Sequence, residues 1–265
     1  LVASGAMDMF ASLDAVDQIR FSGQKQENWY IQTAKDAMAA GDMIYAGKYS
    51  KPDYELLVSE GCDLAIENRM ITHSPEVVEM LQSFDIPVMI EYSSYEQHPL
   101  GKVEWVKFFG ALTGKEAEAE EAFAEQTEIL EKVESGEKTG KTIAFFYVTS
   151  NGLIQVRQST DYIPKLIELA GGRYIFEDLE DSGSGRSTLN MQVEDFYAGA
   201  RDADILIYNS SIDGGVTTLD ELIGKCNILK DFKAVQEGQV YCTTNDMYQQ
   251  SMAIGYLLQD MHTVL

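Results

Sequence analysis

Arginine is scarce in this chain, and Arg69, Arg157 and Arg186 fall in polar segments that follow short apolar runs. A guanidinium presents a planar fork of N–H donors that grips paired anionic oxygens. Similar segments carry Trp29, Tyr30, Tyr49, Tyr92, Tyr95 and Tyr248, while Tyr208 closes an apolar run and Met247 precedes Tyr248. Flat rings with polar tips suit a large, partly aromatic small molecule. Each residue alone has a plainer reading, since tyrosine borders the core of many folds and an arginine among 43 acids finds surface partners. Taken together, they point to an anionic, partly aromatic ligand.

Other chemistry finds less support. His73 and His98 stand near candidate loops, but His262 does not, and the candidate loops of the second half supply no histidine partner, so no metal-ion site is expected. Cys62, Cys226 and Cys242 are too far apart in sequence for a zinc set or a disulfide framework and read as buried, inert thiols. The segment SGSGRS (182–187) lacks the spacing of a dinucleotide or phosphate loop, and no nucleophile elbow occurs. The expectation is a protein that is not an enzyme and needs no cofactor. A net charge of −23, from 20 basic and 43 acidic residues, repels phosphate backbones and anionic headgroups. No apolar run reaches the roughly 18 to 20 residues of a membrane helix, and LVASGA at the start has no cysteine to carry lipid.

The elements that position these residues come in pairs. CDLAIEN (62–68) and ADILIYN (203–209) share one pattern: a small residue, an aspartate, four mostly apolar residues and an asparagine. Upstream lie PDYELLVSEG (52–61) and QVEDFYAGAR (192–201), and downstream MLQSFDIPVMIEY (80–92) parallels ILKDFKAVQEGQVYCTT (228–244). Helices alternating with strands imply right-handed crossovers and mainly parallel sheets. The fold class is therefore α/β: two three-layer lobes, residues 1–98 and 141–265, joined by helices in 99–140. LVAS at the start stands where KTIAFFYVTS (141–150) gives the second half its first strand. Residues 115–134 predict one rigid helix about 30 Å long.

The order and spacing of YSKPDYELLVSEGCDLAI (49–66), IPKLIELAGG (163–172) and ILKDFKAVQEGQVY (228–241) resemble the substrate-binding proteins of ATP-driven importers. The relevant class captures ferric siderophores, haem or cobalamin. The resemblance implies two α/β lobes bridged by a long helix, with ligand held in the cleft between them and handed to a membrane permease. The ligand itself brings any iron or cobalt. The resemblance also implies a monomeric, extracytoplasmic protein, periplasmic or a cell-surface lipoprotein. Tyr49 matches an aromatic ligand contact of the cobalamin-binding relatives. Glu55 matches a glutamate that pairs with permease arginines; its counterpart by strict spacing is Phe196, with Glu194 and Asp195 adjacent. The rival reading is a two-lobed α/β enzyme acting on a small molecule in a cleft.

Overall fold

The computed structural model describes residues 1–179 and 187–265. They divide into two compact units. The first comprises Leu1–Ser94, Lys102–Glu125 and Tyr248–Met252; the second comprises Tyr95–Gly101, Gln126–Met247 and Ala253–Leu265.

The strands of the first unit are short. β1 (Phe21–Ser22) pairs in parallel with β2 (Ile44–Tyr45), β3 (Gly47–Lys48) forms an antiparallel hairpin with β4 (Lys51–Pro52), and β5 (Ala65–Asn68) runs parallel to β6 (Val88–Glu91). Leu1 and Val2 bind these pieces together. The Leu1 nitrogen donates to the Phe21 carbonyl, Gly23 N–H to Leu1 and Val2 N–H to Ile66. The opening residues thus occupy the strand-like place that the sequence suggested. Alternation along the strands feeds two cores. Ile66 and Met89 join Phe10, Trp29, Val106 and Phe109 on one face; Ala65, Val88 and Ile90 join Leu57, Ile71 and Leu81 on the other. Three layers follow from that division.

In the second unit β7 (Thr142–Val148), β8 (Ile154–Arg157), β9 (Arg173–Tyr174), β10 (Thr188–Met191), β11 (Ile205–Tyr208) and β12 (Val240–Cys242) form one sheet. Its order is β10-β8-β7-β11-β12, with β9 beside β7. β7, β9, β11 and β12 are parallel, whereas β8 and β10 form an antiparallel flank. β7 is buried along nearly its whole length, as a strand covered on both faces must be. One face packs a train of rings, with Phe146 4.9 Å from Phe196 and Phe196 stacked 5.5 Å from Phe232.

Packing places the borders elsewhere than at 98 and 140. Helix Pro99–Thr113 does not stand apart: Val106 and Phe109 are fully buried, and the Phe109 ring lies 5.0 Å from Phe10 in the first core. Residues 248–252 return to the first unit, where Met252 N–H donates to Asp8 at 2.7 Å. Glu116–Glu134 is a single helix, as expected; it belongs to the first unit through Glu125 and to the second from Gln126. The three cysteines are free, but only Cys226 is buried; Cys62 is half-buried and Cys242 exposed. Val240 to Cys242 form the edge strand of their sheet, where Tyr241 and Cys242 are exposed.

Candidate functional site

Open parallel sheets bind ligands beyond the carboxyl ends of their strands. The repeated phrase has a mechanical meaning there. Asp204, ahead of β11, accepts from the N–H and hydroxyl of Thr142 at 2.7 and 2.9 Å and pairs with Lys233 at 2.6 Å, fastening the starts of β7 and β11. The Lys233 bond and those from Thr142 outweigh partial burial and hold its carboxyl down at about 2. At the other end the asparagine caps the turn: Asn68 Oδ1 accepts from Met70 N–H at 2.9 Å and Asn209 Oδ1 from Ser211 N–H at 3.3 Å. A strand with both ends tied presents its following loop in a fixed place.

Beyond the strands of the first unit, Tyr30 and Tyr92 expose their rings, at 52% and 40%. Tyr30 is held by its backbone. Its N–H donates to Gln249 Oε1 at 2.8 Å while Gln249 Nε2 donates to the Asn28 carbonyl at 2.8 Å. Tyr49 sits half-buried in the turn of the β3–β4 hairpin, packed on the cluster around Leu57. Gly47 shapes that hairpin with φ +88, where any side chain would be strained. Arg69 follows β5 directly and is half-buried. Trp29 is a correction. It is fully buried, its indole N–H donating to Ser22 Oγ at 3.0 Å, and so serves the core rather than a ligand wall.

The second unit differs more from expectation. Residues 151–158 do not form a loop at the ligand end: only the turn around Thr149–Leu153 lies there, and β8 then runs back antiparallel to β7. Arg157 ends β8 and is therefore carried toward the opposite end of the sheet. It is buried, pairs with Asp161 at 3.4 Å and lies over the Phe145 ring. Its role is structural. Tyr208 is likewise fully buried, with its hydroxyl donating to Asp213 at 3.0 Å. Met247 is also buried. Burial opposes ionisation of Asp213, but bonds from Lys225, Gly215 and Tyr208 hold its carboxyl below the usual range. Gly215, at φ +82, allows the loop to close, since a Cβ would strike Ser210 and Asn245. Tyr95 is exposed and counts with the second unit; Tyr248 is half-buried and counts with the first. Arg186 lies outside the described residues.

Sequence reading missed the Tyr208–Asp213–Lys225 network and the buried carboxyl of Glu67. DGG (213–215) was the available signal for the first, because paired glycines mark a turn with positive φ.

Glu55 is exposed as the second residue of helix Tyr54–Ser59, which Asp53 caps by accepting from Leu56 N–H. Glu194 is exposed as the second residue of helix Val193–Ala200. The first helix has six residues and the second eight, which accounts for the two-residue slip that had put Phe196 opposite Glu55. Phe196 is fully buried.

The sequence profile of the periplasmic binding protein family matches residues 4–247, and the chain belongs to that family. It is 27% identical over 252 residues to an uncharacterized lipoprotein of Methanocaldococcus jannaschii, covering 91% of this chain and 57% of that protein. The chain thus spans little more than half the length of that relative. Its fold is similar to a periplasmic heme binding protein of Vibrio cholerae, with a TM-score of 0.76, 13% identity and coverage of 98% and 96% of the two chains. A possible iron-binding, periplasmic solute-binding protein of Staphylococcus epidermidis gives 0.73 at 17% identity, covering 98% and 95%. Among the described residues no helix is long and apolar enough to cross a membrane.

Proposed function

We propose that this member of the periplasmic binding protein family is the extracytoplasmic, non-enzymatic capture component of an ABC importer. In this reading it works as a monomer, binds a metal chelate and delivers it to a permease; a ferric catechol-type siderophore is favoured over haem or cobalamin. A lipid anchor, as in the lipoprotein relative, would keep it at the membrane surface. The family match over residues 4–247 is the observation that carries the reading. The favoured ligand class rests on Tyr30, Tyr49, Tyr92 and Arg69 at the strand ends of the first unit, where rings and a guanidinium suit aromatic, anionic oxygens. Exposed glutamates at matching positions of two helices, Glu55 and Glu194, suit contacts with basic permease residues.

The test is titration of the purified protein with a ferric catecholate, haemin and cobalamin, followed by quenching of tyrosine and tryptophan fluorescence. Saturable binding of the ferric catecholate is expected. Tight cobalamin or haemin binding without a response to ferric chelates would overturn the ligand class. Silence toward the whole panel would count against chelate capture.

A further inference from the structure

Glu67 is the second-last residue of β5, only 4% exposed, and its Oε2 finds no hydrogen-bond partner among the described residues. It lines a cavity of about 40 Å³ with Ser22, Gly23, Gly47, Lys48 and Cys62. That is room for a water or two. A lone ionised carboxylate in so buried a place is costly, whereas the neutral acid is tolerated. We propose that Glu67 and this cavity form a proton-operated switch on ligand affinity: the neutral acid favours an anionic ligand at the first unit's strand ends, and the carboxylate opposes it. The inference rests on the proposed anionic ligand class.

The surroundings support a proton site. Burial pushes the Glu67 carboxyl up to about 7. The other titratable groups that sense it are the Cys62 thiol and the Tyr54 phenol, both of which it pushes up further. Lys48 comes from the hairpin to the same cavity. β6 sets Ile90 opposite Glu67, while Glu91 falls on the alternate face and accepts from Ser93 N–H. No hydrogen bond among the described residues therefore holds Oε2. Arg69 follows two residues later, and the hairpin that brings Lys48 also carries Tyr49, so the charge appears within the segments proposed to hold the ligand.

The decisive comparison is between the wild-type chain and Glu67→Gln, each titrated with a ferric tris-catecholate from about pH 5.5 to about pH 8.5. Taking the ratio of the two dissociation constants removes the pH dependence of the chelate itself. That ratio is expected to rise about tenfold across the range, with the glutamine form binding more tightly at high pH. A constant ratio would overturn the switch. Infrared difference spectra provide a readout that needs no ligand and no variant. A neutral carboxylic acid band in the folded wild-type protein near pH 6 should fade as pH rises through about 7. Its absence near pH 6 would refute the proton site, even where the chelate fails to bind and the ligand class falls with it.

Discussion

The two units repeat one phrase, yet they spend their polar residues differently. In the second, Tyr208, Asp213 and Lys225 bond to one another, and Arg157 turns away to pair with Asp161. In the first, Tyr30 and Tyr92 remain exposed at the strand ends, and Glu67 Oε2 is left without a hydrogen bond among the described residues. The same secondary structure therefore serves internal cohesion in one unit and leaves side chains available in the other. If that contrast is right, substitutions in the second unit should cost stability, while those in the first should alter binding at little cost in stability.

The largest effect is expected from Arg157→Ala. It strips the partner from Asp161, whose side chain is 2% exposed, and breaking such a buried pair costs about 3 to 5 kcal/mol. Urea unfolding should report that loss, with ligand affinity of the remaining folded protein close to wild type. Unchanged stability with abolished binding would reverse the contrast and return Arg157 to the ligand.

Asp204 tests the same unit through pH. Its folded carboxyl titrates at about 2 against an ordinary 3.8, so it stabilises the fold above 3.8 and loses that contribution as pH falls through about 2. Because the side chain is 30% exposed, the gain is discounted to about 1 to 2 kcal/mol at neutral pH. Asp204→Asn should be less stable by that amount at pH 7 and converge on wild type near pH 2. A gap that persists in acid would assign the loss to packing instead.

Smaller changes belong to the first unit. Tyr30→Ala and Tyr92→Ala should each weaken chelate binding by about 0.5 to 1.5 kcal/mol and shift stability by no more than about 0.5 kcal/mol. Calorimetric titration beside thermal unfolding would separate the two. A drop in stability without loss of affinity would show these rings to be packing residues.

The fold was legible because alternation of helix and strand is written in apolar spacing, and because Asp204 and Asn209 repeat at the ends of a strand as Asp63 and Asn68 do. The candidate site was less so. The reversal of direction at Thr149–Leu153 that turns Arg157 away is signalled by Asn151–Gly152, a hairpin dipeptide whose glycine takes φ +80, but the continuous apolar run of β7 makes the segment read as a loop beyond a parallel strand. Trp29 stands in a polar segment, QKQENWY, and only the tertiary position of Ser22 and Phe10 explains its burial. Aromatic and arginine side chains look alike in sequence whether they face ligand or core. The slip at Phe196 had a simpler cause, two added residues in a helix whose capped start, rather than its distance to the next strand, sets the equivalence with Glu55.

The smallest effect on the purified protein is expected from Glu55→Ala and Glu194→Ala, and it carries the comparison to the whole importer. Both carboxylates lie in the first turn of their helices, where they meet the positive end of the backbone dipole, a stabilisation of about 0.3 to 1 kcal/mol each at an exposed position. Chelate affinity should not move, because neither side chain stands in a strand-end loop. Here the two units should behave alike rather than oppositely, since both present a glutamate at the second position of the helix that precedes the repeated phrase. Uptake by cells carrying the cognate permease should fall with either substitution and fall further with both, while the double variant still saturates with chelate in vitro. Normal uptake by the double variant would remove these glutamates from the proposed docking contact. Impaired uptake from Glu55→Ala alone would confine that contact to the first unit.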